Sequence, residues 1–154
     1  MNYSSKPGSQ ALRKGRWSQG NGIYFITSVT DQRIPWFQEP EFAQVICRDI
    51  ERPVCLADAT VLCWVVMPDH IHLLLQLREV SLTRVISRLK SQTAIKLNRE
   101  IGRSGRFWSP GFHDHALRHE ENIKGIARYI VANPLRAGLV SSVGDYPYWN
   151  SVWL

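Results

Sequence analysis

"VVMPDHIHLLLQL", residues 65–77, reads as the corner and return strand of a β-hairpin. Pro68 and Asp69 take turn positions. The preceding "ATVLCWVV" (59–66) supplies the outgoing strand. Side chains alternate along a strand, so Ile71, Leu73, Leu75 and Leu77 share a face that asks for a core, while His70, His72, Leu74 and Gln76 take the other. Residues i and i+2 lie roughly 6–7 Å apart on a strand, close enough for two imidazoles to converge on one divalent ion. The plainer alternative is a pair of partly exposed, hydrogen-bonded histidines. Burying two unpaired imidazoles in a dry layer would be costly.

Outward from the hairpin, "GIYFITSVT" (22–30) is β-branched and aromatic and predicts a strand. "EPEFAQVICRDIER" (39–52) has Pro40 in a first turn and apolar residues at Phe42, Val45, Ile46 and Ile50, which predicts a helix. "SLTRVISRLKSQTAIKLNREIG" (81–102) is a longer helix with a stripe of Leu82, Val85, Ile86, Leu89 and Leu97. "RFWSPGFHDHALR" (106–118) predicts a tight hairpin around Ser109-Pro110-Gly111, and "HEENIKGIARYIVAN" (119–133) a final long helix closed by Pro134. The aromatic, turn-rich tail is expected to pack on the domain. The order β-α-β-β-α-β-α, with a hairpin at its centre, predicts an α+β fold: a ferredoxin-like antiparallel sheet with packed helices.

The chain has 154 residues, which suits one domain, here 22–154, preceded by a flexible basic arm over 1–21. No segment is long and apolar enough for a membrane span. The polar, basic N-terminus has no signal-peptide core, which points to the cytoplasm, in association with the nucleoid. Cys47, Cys55 and Cys63 lack CxxC spacing and read as buried reduced thiols rather than a disulfide or zinc framework. A formal net charge of +6 suits a polyanionic partner.

On the final helix, Ile123, Ile126, Ala127 and Ile130 form the buried stripe. Tyr129 and Asn133 lie together along one edge of it as i, i+4 neighbours. Taken singly, a tyrosine there is a packing residue and an asparagine before proline is a helix terminator.

With these stretches in order, a resemblance becomes specific. "VVMPDHIHLLLQL" resembles the His-hydrophobic-His signature of the single-tyrosine HUH transposases. "SGRFWSPGFHDHALR" followed by "IARYIVANPLRAGLV" resembles the region leading to the tyrosine of the REP-associated tyrosine transposases. The resemblance spans roughly residues 22–140. It implies the HUH fold, with His70, His72 and Asn133 as metal ligands and Tyr129 as nucleophile. It further implies Mg²⁺ or Mn²⁺ as cofactor and single-stranded or hairpin DNA, such as REP elements, as substrate. Cleavage would leave a 5′-phosphotyrosine link and a 3′-hydroxyl. REP-associated members are taken as monomers, so a monomer rather than a homodimer is expected.

Further residues have a DNA-facing reading beside a plain one. Arg13, Lys14 and Arg16 would lie along a phosphate backbone; Arg84 and Arg88 would form a DNA-facing helix edge; Arg118, Arg128 and Arg136 would hold phosphates around the tyrosine helix. Solvated charge is the plain reading of each. His113 and His115 would support the first histidine pair or touch DNA, or are simply hairpin residues. Trp108, with Phe107 and Phe112, would stack on unpaired bases or else join the core. Two other classes fit less well. An RNA-binding module lacks its RNP1 pattern. A cupin-type His-x-His enzyme needs a glycine before the histidines, and 59–69 has none.

Overall fold

A computed structural model of the chain describes residues 22–52, 56, 58–118 and 122–154. The five strands are β1 (Ile23–Val29), β2 (Ala59–Met67), β3 (His70–Leu77), β4 (His113–Ala116) and β5 (Trp149–Ser151). The helices are α1 (Pro40–Glu51), α2 (Leu82–Ile101), α3 (Ile123–Val131) and the single turn α4 (Asn133–Arg136). The strands form one antiparallel sheet in the order β4-β1-β3-β2-β5. The first four strands have the ferredoxin-like arrangement predicted, and the expected 1–21 arm lies outside the described residues.

The two faces of the sheet bury different residues. Tyr24, Ile26, Ile71, Leu73, Leu75 and Leu77 face α1 and α2 and pack on Ala43, Ile46, Ile50, Val85, Ile86 and Leu89. The opposite face carries Phe25, Cys63, Val65, Met67 and Leu74 against Ile126, Ala127, Ile130 and Val131 of α3. In β2 the register shifts between Val61 and Cys63. This bulge changes the parity of the strand, so Ala59 and Val61 before it, and Trp64 and Val66 after it, all join the α1–α2 side. Burial pushes the thiols of Cys47 and Cys63 up to about 12, so both stay protonated.

The helix ends follow local chemistry. The Ser81 hydroxyl accepts from the Arg84 backbone N–H to start α2, and Gly102, at φ 79°, ends it in the left-handed region. Asn122 caps α3 by accepting from the N–H of Gly125.

Two expectations change. Residues 106–118 are not a hairpin. Phe107 and Trp108 are pulled into the core, Trp108 bridges Thr30, and β4 pairs with β1. The Lys90 ammonium fixes this path by donating to the carbonyls of Ser109 and Gly111. Pro134 does not close the last helix either: α3 ends at Val131, and the chain turns on through α4 with proline in its first turn, where a missing N–H costs nothing. The tail does pack on the domain, and it does so as a strand: β5 pairs with β2, and the Tyr146 hydroxyl donates to the Val66 carbonyl.

Candidate active site

The hairpin corner sets the site. The Asp69 carbonyl accepts from both the backbone N–H (2.9 Å) and the hydroxyl (3.1 Å) of Thr30, and the Pro68 carbonyl accepts from Phe37 N–H at 3.0 Å. The turn is therefore anchored on both its carbonyls, and β3 starts from a fixed point. His70 and His72 leave the sheet on the α3 side as the alternation requires, with ring centroids 4.8 Å apart and edge-to-face.

Each ring is held at Nδ1. His70 Nδ1 lies 2.7 Å from Asp69 Oδ1. A carboxylate only accepts, so Nδ1 carries a proton, and in the neutral ring Nε2 presents its lone pair. His72 Nδ1 lies 2.8 Å from the Thr27 hydroxyl on β1. In the tautomer that donates from Nδ1, this ring also presents Nε2. Phe25 packs on His72 with centroids 5.2 Å apart. Burial, then the charges of His70 and Arg136, push the His72 pKa down to about 3. The ring is thus neutral at physiological pH, the form that ligates a metal. Burial works to raise the Asp69 pKa, but the hydrogen bond and charge of His70, with Arg33 at 3.3 Å, hold it below the usual carboxylate range. A carboxylate behind a ligating imidazole fixes its orientation and raises its basicity.

Helix α3 rests beside this pair. Val65 and Met67 are the cross-strand partners of His72 and His70, and both pack in the cluster that takes Ile126, Ala127, Ile130 and Val131. The Cys63 thiol donates to the Ala127 carbonyl at 3.7 Å. Tyr129 packs at the edge of the same cluster. The Asn133 side-chain N–H donates to the Ile130 carbonyl at 3.2 Å. The Arg136 guanidinium lies over the Tyr129 ring, 3.8 Å from its centroid, and its charge is felt at His72. The tyrosine stripe and the imidazole pair therefore share one side of the sheet. Among the described residues no group of three His, Cys, Asp or Glu gathers as a metal cage. A ligand set here needs an amide oxygen, and imidazole nitrogens with the Asn133 amide oxygen are the donor types an N/O-binding divalent ion takes.

The remaining candidates separate by face. His113 and His115 pair with Thr27 and Phe25, which puts them on the His72 side, while Asp114 pairs with Ile26 and faces away. Val65, His72, Thr27 and His113 form one row across four strands. Arg118 and Arg128 are exposed at either end of the α3 segment. Arg84 and Arg88 are on α2, across the sheet from the histidines, and Arg88 pairs with Asp58 at 3.3 Å. They cannot act at the same phosphate as Tyr129. Trp108 is 4% exposed and donates to the Thr93 hydroxyl at 3.0 Å. It is a core residue, and no base can stack on it or on the equally buried Phe107 and Phe112. Arg13, Lys14 and Arg16 lie outside the described residues.

Sequence reasoning missed Asp69 and Thr27. Asp69 was legible in part, since an acid directly before a candidate ligand is a natural orienting group. Thr27 was not, because its role depends on which strand pairs with β3.

The profile of the family described as "Transposase IS200 like" matches residues 18–133. The chain belongs to the IS200-like transposases. Within that family it is similar to the REP-associated tyrosine transposases. A Haemophilus influenzae protein of that description is 29% identical over 141 residues, covering 82% of this chain and 78% of the relative. The REP-associated tyrosine transposase of Escherichia coli K12 is 30% identical over 90 residues, covering 55% of this chain and half of its own length. Among solved structures, a REP-associated tyrosine transposase bound to a REP hairpin superposes with a TM-score of 0.66 at 24% identity, over 87% of this chain and 79% of that one. A transposase structure from Deinococcus radiodurans superposes with a TM-score of 0.52 at 22% identity, over 75% of this chain and 93% of that one. Both likenesses establish the IS200-like transposase fold. No helix among the described residues is long and apolar enough to cross a membrane.

Proposed function

We propose that this transposase-family chain nicks and rejoins single-stranded DNA at hairpins of the REP type, through a covalent 5′-phosphotyrosine on Tyr129. The observation that carries the reading is the shared face: the α3 stripe, with Tyr129 at its edge, packs on Val65 and Met67, the β2 residues that pair with His72 and His70. A divalent ion, Mg²⁺ or Mn²⁺, would be held by His70, His72 and Asn133, and when bound it supplies positive charge against the scissile phosphate.

This chain's own residues do the rest. The Tyr129 oxygen attacks phosphorus as its proton leaves to solvent or a base. The bond from phosphorus to the upstream 3′ oxygen breaks, and that oxygen takes up a proton to become a 3′-hydroxyl. One phosphodiester replaces another, so a 3′-hydroxyl can later attack the tyrosyl ester and reseal the strand. Asp69 and Thr27 hold the imidazoles, so no rotamer has to be fixed as the substrate arrives. Exposed Arg118 and Arg128 would bind flanking phosphates.

The test is covalent capture. Wild-type protein, a labelled single-stranded hairpin oligonucleotide and Mn²⁺ should give a protein–DNA adduct that survives denaturing gel electrophoresis. Tyr129→Phe should give none while binding the oligonucleotide as well as wild type. Binding without an adduct under any divalent metal would refute the enzyme and leave a hairpin-binding module on the same scaffold.

A further inference from the structure

At the break between α3 and α4 an arginine takes a place that the chemistry above does not require. A helix that stops at Val131 leaves its last carbonyls without intrahelical donors. Ala132 N–H returns to Arg128 at 3.1 Å, and the Asn133 side chain takes the Ile130 carbonyl. The Tyr129 carbonyl is taken by Arg136, whose Nη2 donates to it at 2.8 Å. The same guanidinium lies over the Tyr129 ring at 3.8 Å. One side chain, seven residues downstream, thus grips both the backbone and the ring of the candidate nucleophile. Tyr129, Asn133 and Arg136 follow at spacings of four and three, so the break keeps them on one stripe.

We propose that Arg136 is a positioning residue for Tyr129: it clamps the phenol ring against the sheet-side apolar cluster and so sets the line of attack, rather than serving as a phosphate contact. The proposal rests on Tyr129 being the nucleophile. Two geometric points favour the clamp. A guanidinium stacked flat on a ring is attracted by the ring's π-face and restricts its rotation. The Nη2 donor bound to the Tyr129 carbonyl also ties the guanidinium to the backbone that carries the ring, which keeps it in place over the phenol. In-line attack tolerates little misplacement of the phenol oxygen.

The clamp and the phosphate contact predict opposite kinetics. Binding of the hairpin oligonucleotide is measured by fluorescence anisotropy without metal, and adduct formation by single turnover at saturating oligonucleotide with Mn²⁺. Arg136→Ala should slow the saturated step about ten- to a hundredfold. Affinity should change less than about threefold, with its salt dependence unchanged. Arg136→Lys, which keeps a cation but not the planar fork, should fall between the two. A weaker affinity with a salt slope lower by about one, and an unchanged saturated rate, would make Arg136 a phosphate contact and overturn the proposal. So would no change in either quantity. If Arg136→Ala unfolds early in a thermal melt, Arg136→Lys and Arg136→Gln decide by the same split.

A second readout does not depend on the chemistry. In fluorotyrosine-labelled protein, the ¹⁹F resonance assigned by loss in Tyr129→Phe should move toward the free value in Arg136→Ala. An unmoved resonance overturns the clamp. Absence of a wild-type adduct would instead sink the proposed reaction and leave the ¹⁹F result standing on its own.

Discussion

Replacing Asp69 tests the imidazole pair at its support. The carboxylate is 2.7 Å from His70 Nδ1 and its side chain is 25% exposed, so it is neither buried nor free to wander. Losing the partner behind a ligating imidazole costs about 10–100-fold in metal affinity, or about 1.4–2.7 kcal/mol. The two available substitutions divide this range. Asp69→Asn keeps an oxygen that can accept from Nδ1, so ring orientation survives and only the charge goes; about a tenfold loss follows. Asp69→Ala removes the hydrogen bond too and releases the ring, which moves the loss toward a hundredfold. The hairpin corner should not confuse the result, because Thr30 holds it through the Asp69 backbone carbonyl, which both variants keep. The assay is a Mn²⁺ titration of the DNA-free protein, with the free ion followed by electron paramagnetic resonance. Thermal unfolding serves as the control for the fold. An Asp69→Ala protein that melts normally and binds Mn²⁺ as tightly as wild type would refute the reasoning.

Two further outcomes follow from groups with unusual surroundings. His72 titrates at about 3 in the native state and near about 6.5 in the unfolded chain. Between these values the unfolded state binds a proton that the native state does not, so stability falls as pH drops below about 6.5, by up to ~1.4 kcal/mol per unit. Urea unfolding at pH 7 and pH 5 should show this loss in wild type and a smaller one in His72→Gln; equal losses would contradict it. Across the sheet, Lys96 lies 2.6 Å from Asp49, whose Oδ2 is buried with no hydrogen-bond partner among the described residues. Breaking a fully buried pair costs roughly 3–5 kcal/mol. The Lys96 side chain is 39% exposed and water can reach its place, so Lys96→Met should cost about 2 kcal/mol by denaturant melt. Asp49→Asn/Lys96→Met should recover most of that loss, and a single variant within about 0.5 kcal/mol of wild type would show the pair to be idle.

What could be read without coordinates was whatever repeats along the chain. The alternation in β3 put Ile71, Leu73, Leu75 and Leu77 on the helix-backed face and the two histidines on the other, as found. Ser81 and Gly102 bounded α2 to within a residue, because caps are local chemistry. Errors arose where a distant partner decides. Nothing near Phe107 and Trp108 says that Thr93 and Thr30 wait for Trp108, so the segment reads as a hairpin whose rings could serve the core or DNA. The charges on α2 gave no hint of which side of the sheet that helix covers. The β2 bulge is similar: a run of apolar residues from Val61 to Met67 hides the point at which its parity changes.

The same division of faces accounts for where chemistry can occur. Helix α2 has 20 residues, about 30 Å of cylinder, while α3 has nine, about 13 Å. Five strands side by side span roughly 19 Å. One helix of the length of α2, with α1 beside it, can seal the first face. The short α3 cannot seal the second, and its apolar stripe is already used on Phe25, Cys63, Val65, Met67 and Leu74. Among the described residues, the row running through His72, Thr27 and His113 is therefore left half-buried: low enough in dielectric to keep His72 neutral, yet not sealed from solvent. Extending α3 by apolar turns would close that row, and a sheet sealed on both faces would shut the Nε2 edges of His70 and His72 in a dry layer, where a polar atom without a partner is costly.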